Sequence, residues 1–302
     1  MKLRLSLSIV TGCILLGLLT GCSGDKNVDT SEATDVEEST EQETQEQGDI
    51  QGNSNTSEQE SEDSEYTFME EFDREVILEN PSYDYYCSDK VQKIENLPEI
   101  ALHKISEEQN DITDVETWFD DNGLEMVDTY YQDENYSYEW SQYGDSPYLY
   151  LTELSTGDDV YFDLSAYWYG DEYVDSDFDY IDQRVLYATA QDGILYFGTA
   201  HNTYADSCPQ TAYITAVDLT DDTVLWKTEP LVCNVNHFEI YGDYIISGYG
   251  FTAEKDYLKI IRKDTGELVQ EIPLKTGPDY IYQKDGILYV RTYDTNVTFS
   301  ID

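Results

Sequence analysis

Gln191-Asp-Gly-Ile-Leu-Tyr-Phe-Gly-Thr199, a polar loop, and then Ala212-Tyr-Ile-Thr-Ala-Val-Asp218-Leu-Thr-Asp-Asp222-Thr-Val-Leu-Trp226-Lys-Thr-Glu229 is the stretch whose reading decides the fold. Gly beside Asp suits the positive backbone angle of a tight hairpin turn, and the alternating β-branched and aromatic residues after it suit a pleated, half-buried strand. Past the loop, the stretch reads as a strand over 213–218, a turn over 219–222 and a strand over 223–229.

The unit recurs. Gly next to Asp leads into an apolar or aromatic strand at Gly144-Asp145, Asp192-Gly193, Gly242-Asp243 and Asp285-Gly286, with successive glycines separated by 49, 49 and 44 residues. A period in the forties that carries strands and turns but no helix has the length of a propeller blade. The third unit continues with a strand over 257–262, the turn Lys263-Asp-Thr-Gly266 and a strand over 267–272.

Ala216, Asp218 and Trp226, with a turn between them, resemble the Ala-x-Asp-x-x-Thr-Gly-x-x-x-Trp signature of PQQ-like (quinoprotein-type) β-propeller repeats. Thr265-Gly266 stands at the equivalent turn of the next unit, and Leu151-x-Glu153, Thr156-Gly157 and Tyr161 give a looser match in the first. The best copy has Asp221-Asp222 where the family has Thr-Gly. The resemblance covers residues 143–302 and implies an all-β fold: a small propeller of four blades, with a degenerate fifth left open. Quinone binding in that family would call for adjacent cysteines and a longer ring. This chain has no Cys-Cys pair, so no cofactor is expected.

The last unit ends at Ser300-Ile301-Asp302, before any outer strand, and an unpaired edge invites aggregation. Val91-Gln-Lys-Ile94 mirrors Val269-Gln-Glu-Ile272, so an N-terminal strand over 90–97 is expected to pair beside 297–302 and close the last blade. Between them, Asp111 to Phe119 has a capping residue and apolar positions at helical spacing, with Gly123 as a stop, which predicts a short helical insertion. Residues 66–80 fit a helix or a strand.

The N-terminus reads as a lipoprotein signal. Lys2 and Arg4 precede a mostly apolar run over 5–19 that is too short to span a bilayer. Leu19-Thr-Gly-Cys22 resembles the bacterial lipobox, which predicts a signal peptide over 1–21 and diacylation of Cys22. Residues 23–65 hold fifteen acids against one Lys and almost nothing apolar; such a segment cannot bury enough surface to offset its ordering entropy, so 22–65 is expected to be a disordered acidic tether. The folded domain is then 66–302, and the expected location is the extracytoplasmic face of the cell membrane, held by the lipid alone.

Of the 64 acids, 49 lie in 66–302 against 13 of the 16 bases, a net charge of −36 for that domain. This argues against nucleic acid or an anionic bilayer surface as partner, since both rely on Lys and Arg to neutralise phosphates. A cationic partner, a metal or a neutral glycan stays open, beside the plain reading that the charge keeps an exported protein soluble.

Cys87, Cys208 and Cys233 remain once Cys13 is removed and Cys22 lipidated, and Cys208 with Cys233 is the candidate disulfide. Asp175, Asp177 and Asp179, followed by Asp182, resemble the start of a calcium loop, but no Gly stands sixth and Leu186 replaces the bidentate Glu. A metal is therefore not expected. His103, His201 and His237 are far apart and match no catalytic or metal-ligand arrangement. All 28 tyrosines follow residue 65; they suit packing between blades, or a face for sugar rings and proteins. The functional expectation is a non-catalytic binding or scaffold lipoprotein for a protein or glycan partner. The alternative is an extracytoplasmic enzyme acting on glycans with carboxylates in the ring's pocket. A third class, an outer-membrane assembly lipoprotein with a PQQ-like propeller, matches in fold and anchor, although the acidic tether is more like that of a Gram-positive lipoprotein.

Overall fold

The computed structural model describes residues 72–141, 147–171, 182–201, 210–251 and 254–302, all within the compact unit Tyr66–Asp302. In chain order the N-terminal segment supplies β1 (Arg74–Ile77), β2 (Tyr86–Cys87), β3 (Leu102–Gln109) and the single described α-helix, α1 (Val115–Asn122). Four antiparallel meanders follow. They are β4 (Tyr130–Gln132) to β7 (Asp159–Asp163) through β5 (Tyr136–Trp140) and β6 (Tyr148–Glu153); then β8 (Arg184–Gln191), β9 (Ile194–Ala200), β10 (Tyr213–Asp218) and β11 (Thr223–Lys227). The third comprises β12 (Glu239–Tyr241), β13 (Tyr244–Tyr249), β14 (Tyr257–Arg262) and β15 (Leu268–Pro273), and the fourth β16 (Pro278–Lys284), β17 (Ile287–Thr292) and β18 (Thr295–Ile301).

Each meander is one sheet with its strands in sequence order, and the rings carried by or beside the four first strands meet along one axis. Tyr131 and Tyr187 stack with centroids 5.8 Å apart, Tyr187 lies 4.4 Å from His237, and His237 stacks on Tyr282 at 3.8 Å. Sheets in series around a shared axis, each innermost at its first strand, make a four-bladed β-propeller. The stretch expected to hold a fifth blade is divided among β3, α1, β4 and β5.

The sequence signature marks the third and fourth strands of a blade. Trp226 on β11 is almost fully buried and lies on the Lys263–Gly266 turn of the third blade, where its indole nitrogen donates to the Lys263 carbonyl at 3.1 Å. Gly266 is required there twice over. Its φ is +72°, and a Cβ would come within 2.4 Å of the indole ring. Asp222, which replaces the signature glycine in the second blade, takes the same left-handed conformation at φ +57°. Tyr161, the expected counterpart in the first blade, instead stacks on Phe72 at 4.7 Å.

Two expectations are corrected. The residues Gly144 and Asp145 lie outside the described residues, but they precede β6, the third strand of its blade, whereas Gly193, Gly242 and Gly286 each precede a second strand. The turn equivalent to Asp192-Gly193 in the first blade falls between β4 and β5. The closing strand is also not 90–97: β3 pairs antiparallel with β18 over its whole length, from Leu102↔Ile301 to Gln109↔Thr295. Residues 91–94 are held elsewhere, because the Ile94 amide donates to Asp264 on the third blade at 2.7 Å. Asn96 then turns the chain at φ +60°, and Pro98 cannot donate to a ladder.

The N-terminal segment is therefore a belt that touches every blade. β1 adds in parallel to β7, and β2 adds antiparallel to β11. Ile94 is clamped by Asp264 and Arg262, and β3 completes the fourth sheet. At the second blade the belt is fixed by a buried lysine: Lys227 Nζ donates to Asn80 Oδ1 at 2.8 Å and to the Ser82 carbonyl at 2.9 Å, and lies 3.8 Å from the centre of the Tyr213 ring. Burial pulls its ammonium down to about 7, while the ring face and two oxygens favour the charged form.

The helix forms as its sequence directs. Asp114 caps it by accepting from the Thr117 amide at 3.1 Å, and Gly123 ends it in the left-handed conformation. Its buried face, Trp118 and Phe119, packs edge-on against Tyr280 and Tyr282 of β16.

Two outcomes follow for urea unfolding. Trp226→Ala should lower stability by about 3–5 kcal/mol, the cost of emptying a buried aromatic site. Removing the chain through residue 98 should lower the midpoint while keeping one cooperative transition, whereas removal through Gln109 should abolish it; equal behaviour of the two truncations would contradict the closing role of β3.

Candidate functional site

The expected site residues divide into those with and without a described position. Cys22, Cys208, Asp175, Asp177 and Asp179 lie outside the described residues. Cys233 is fully buried behind Gly198, and Cys87 sits half-buried in β2. Asp182 lies 3.6 Å from Arg184. Among the described residues, no group of three or more His, Cys, Asp or Glu side chains is placed to hold a metal ion. His103 is exposed beside Asp302 at 3.2 Å, while His201 and His237 are buried in different places.

His237 belongs to the axial stack. Its Nδ1 lies 2.6 Å from the Ile281 carbonyl, and burial pushes its pKa down to about 4, so the ring is neutral at physiological pH and that nitrogen donates. Tyr131 donates from its hydroxyl to the Ala188 carbonyl at 2.6 Å. The rings fill the axis and tie neighbouring blades. Tyr138, Tyr167, Tyr196 and Tyr213 are likewise almost wholly buried, which makes packing residues of these four.

Three cavities lie on the face made by the first-to-second and third-to-fourth strand turns. One of 460 Å³ opens at the axis beside Glu239, a second of 480 Å³ borders Glu134 and Asp192, and a third of 490 Å³ borders Glu153, Asp158 and Asp73. The opposite face carries a 550 Å³ cavity between the third and fourth blades, with Glu254, Asp256 and Asp279 in its wall.

The electrostatics of these walls are set by burial. Glu239, whose carboxylate accepts from the Gln283 amide at 3.0 Å, is pushed up to about 7. Asp256 and Asp279 are each pushed up to about 6, Asp256 further by the neighbouring Glu254 charge, whereas Arg291 opposes the rise at Asp279. Sequence reasoning did not single out these carboxylates, since in so acidic a chain nothing local distinguishes them. Their burial depends on partners far along the chain.

No protein-family model and no curated protein matches the chain. Among solved structures it is similar to BamB from Moraxella catarrhalis, at 10% identity, over 56% of this chain and 57% of that one, with a TM-score of 0.31. It is also similar to a europium-containing methanol dehydrogenase, at 14% identity over 48% of this chain and 24% of the other, TM-score 0.32. A third is TolB from Acinetobacter baumannii, at 13% identity over 54% and 40%, TM-score 0.27. The chain thus spans little more than half the length of the first of these and less of the others. The assignment to four-bladed propellers stands on the sheet order described above.

The raised pKa of Glu239 has a definite consequence. Between the ordinary Glu range and about 7 the folded state holds a proton that the unfolded chain releases, so this group's contribution to stability falls as pH rises through that window. Glu239→Gln should therefore match the parent near pH 4 and exceed it near pH 8, by up to ~3 kcal/mol at 1.36 kcal/mol per unit. Melting temperatures of both proteins from pH 4 to 8 check this; parallel curves would contradict it.

Proposed function

We propose that this protein is a lipid-anchored, extracytoplasmic binding module that presents a rigid propeller to a protein or glycan partner and catalyses nothing itself. The observation that carries this reading is the axial stack. The aromatic groups that would line a deep central pocket are packed against one another, so the shallow cavities and loops of the two faces are what is left for recognition, and a rigid β-scaffold bearing loops suits that task. Among the carboxylates raised by burial, Glu239 falls on one face and Asp256 with Asp279 on the other. The anchor part of the proposal rests on the lipobox at Cys22 and the acidic segment that follows it.

An enzyme acting on glycans draws its support from Glu239, a carboxyl able to keep a proton near neutrality as a general acid must. Asp133, Glu134 and Asp192 line the same cavity; of these, Asp133 already accepts from the amides of Asn135 and Tyr136 and from the Tyr138 hydroxyl. It is engaged in shaping the β4–β5 turn.

Fractionation, capture and turnover test the proposal together. The full chain should sediment with membranes and Cys22→Ser should appear in the soluble extracytoplasmic fraction. Partner capture on a glycan array or by pull-down should survive Glu239→Gln. Release of reducing sugar that disappears in Glu239→Gln would overturn the non-catalytic reading, and an unchanged distribution of Cys22→Ser would overturn the anchor.

A further inference from the structure

The three cavities on the turn face are not separate. The outer and middle ones share Tyr136, Glu153 and Gly193 as walls, and the middle and axial ones share Glu134, Asn135, Ala190 and Asp192. They form one radial groove between the first and second blades, from Phe238 and Glu239 at the axis to Asp73 at the belt. Its outer floor is apolar, built from Tyr136, Leu151, Val160 and Leu219. Its rim is acidic. Glu134, Asp158, Asp192 and Asp73 are exposed, with Glu153 half-buried between them.

Among the described residues lining this groove Arg74 is the one Lys or Arg, and its guanidinium is taken by Asp222 at 3.1 Å. Lys263, outside the lining, reaches only the edge, donating to Gln191 and lying 3.9 Å from Asp192. The rim charges are thus largely unneutralised within the fold. Lysine and arginine lay their methylene stems along apolar surface while keeping the charged head in polar surroundings, and a floor of Leu, Val and Tyr between carboxylate banks provides both. A run of three adjoining cavities suits an extended chain better than a compact ligand.

We propose that this radial groove is the docking track for an extended, lysine- or arginine-bearing segment of a protein partner. The inference rests on the binding-module reading and names the partner's chemistry. Polar rim charges of this kind set association rate and specificity and are weakened by salt.

The test uses the full chain and a fluorescein-labelled twelve-residue peptide of alternating Lys and Thr, followed by fluorescence anisotropy. Binding should weaken at least tenfold between 50 and 300 mM salt, and the same peptide with Glu for Lys should not bind. The triple variant E134Q/D158N/D192N, made of surface positions with Asn tolerated at the left-handed Asp192, should weaken binding at least tenfold with an unchanged melting curve. The control E254Q/D256N, on the opposite face, should change it less than twofold. Equal weakening by both variants would reduce the attraction to diffuse charge and overturn the track, as would no binding of the lysine peptide to the parent. If the parent then captures a neutral glycan or an unrelated protein, the binding-module reading stands without the track; glycan cleavage dependent on Glu239 would remove both.

Discussion

The pairing of β3 with β18 is the contact on which the ring depends. A sheet that ended at β18 would present a row of unpaired amides and carbonyls along the fourth blade, and the strand that satisfies them comes from the other end of the domain. Because β3 is the last part of the belt, everything the belt touches on its way is drawn into the same closure. The parallel addition of β1, the short β2 ladder, the lysine cage at Lys227 and the clamp on Ile94 are successive stations of one strap. Their separate contributions need not be large. They act on an element whose displacement would open the ring.

Within the ring, neighbouring blades are joined in two layers. Near the axis, aromatic rings from successive first strands stack on one another. At the rim, the second and third blades are joined by an indole laid on a turn, where Gly266 is the residue that lets the indole lie flat. Both layers use broad, rigid rings, the Tyr131 hydroxyl and the Trp226 nitrogen each finding a carbonyl of the next blade. Neither contact uses a charged group, and the buried Lys227 serves instead to hold the belt to the second blade.

Legibility in the sequence followed the range of the forces involved. The helix was readable because Asp114, Trp118 and Gly123 act within a few residues of one another, and the repeat signature ending at Trp226 was readable because its motif is local. The first strands were not read: Glu239–Tyr241 has three residues, and its pairing is set by β13 and by the axis. Closure of the last blade by an N-terminal strand was read correctly but placed on 90–97 instead of β3, since Val91–Ile94 imitates an outer strand in composition while Asn96 and Pro98 act to end one. Glu239 and the radial groove left no local trace at all. A carboxylate acquires its proton from burial by distant strands, and a groove exists only between two blades that the sequence lists one after the other.

The belt also has a consequence for how the molecule comes into being. β3 is made near the start of the domain and its partner β18 at the end, so the pair closes a loop of nearly the whole ring. Forming that contact carries the full entropy of loop closure, and folds dominated by such distant pairings assemble slowly. As the chain is made, β3 must remain unpaired until the seven residues of β18 have arrived. The chain therefore has a long interval in which a bare strand is exposed, and the dense negative charge of the domain, which helps no strand to fold, is well suited to keeping unfinished copies apart.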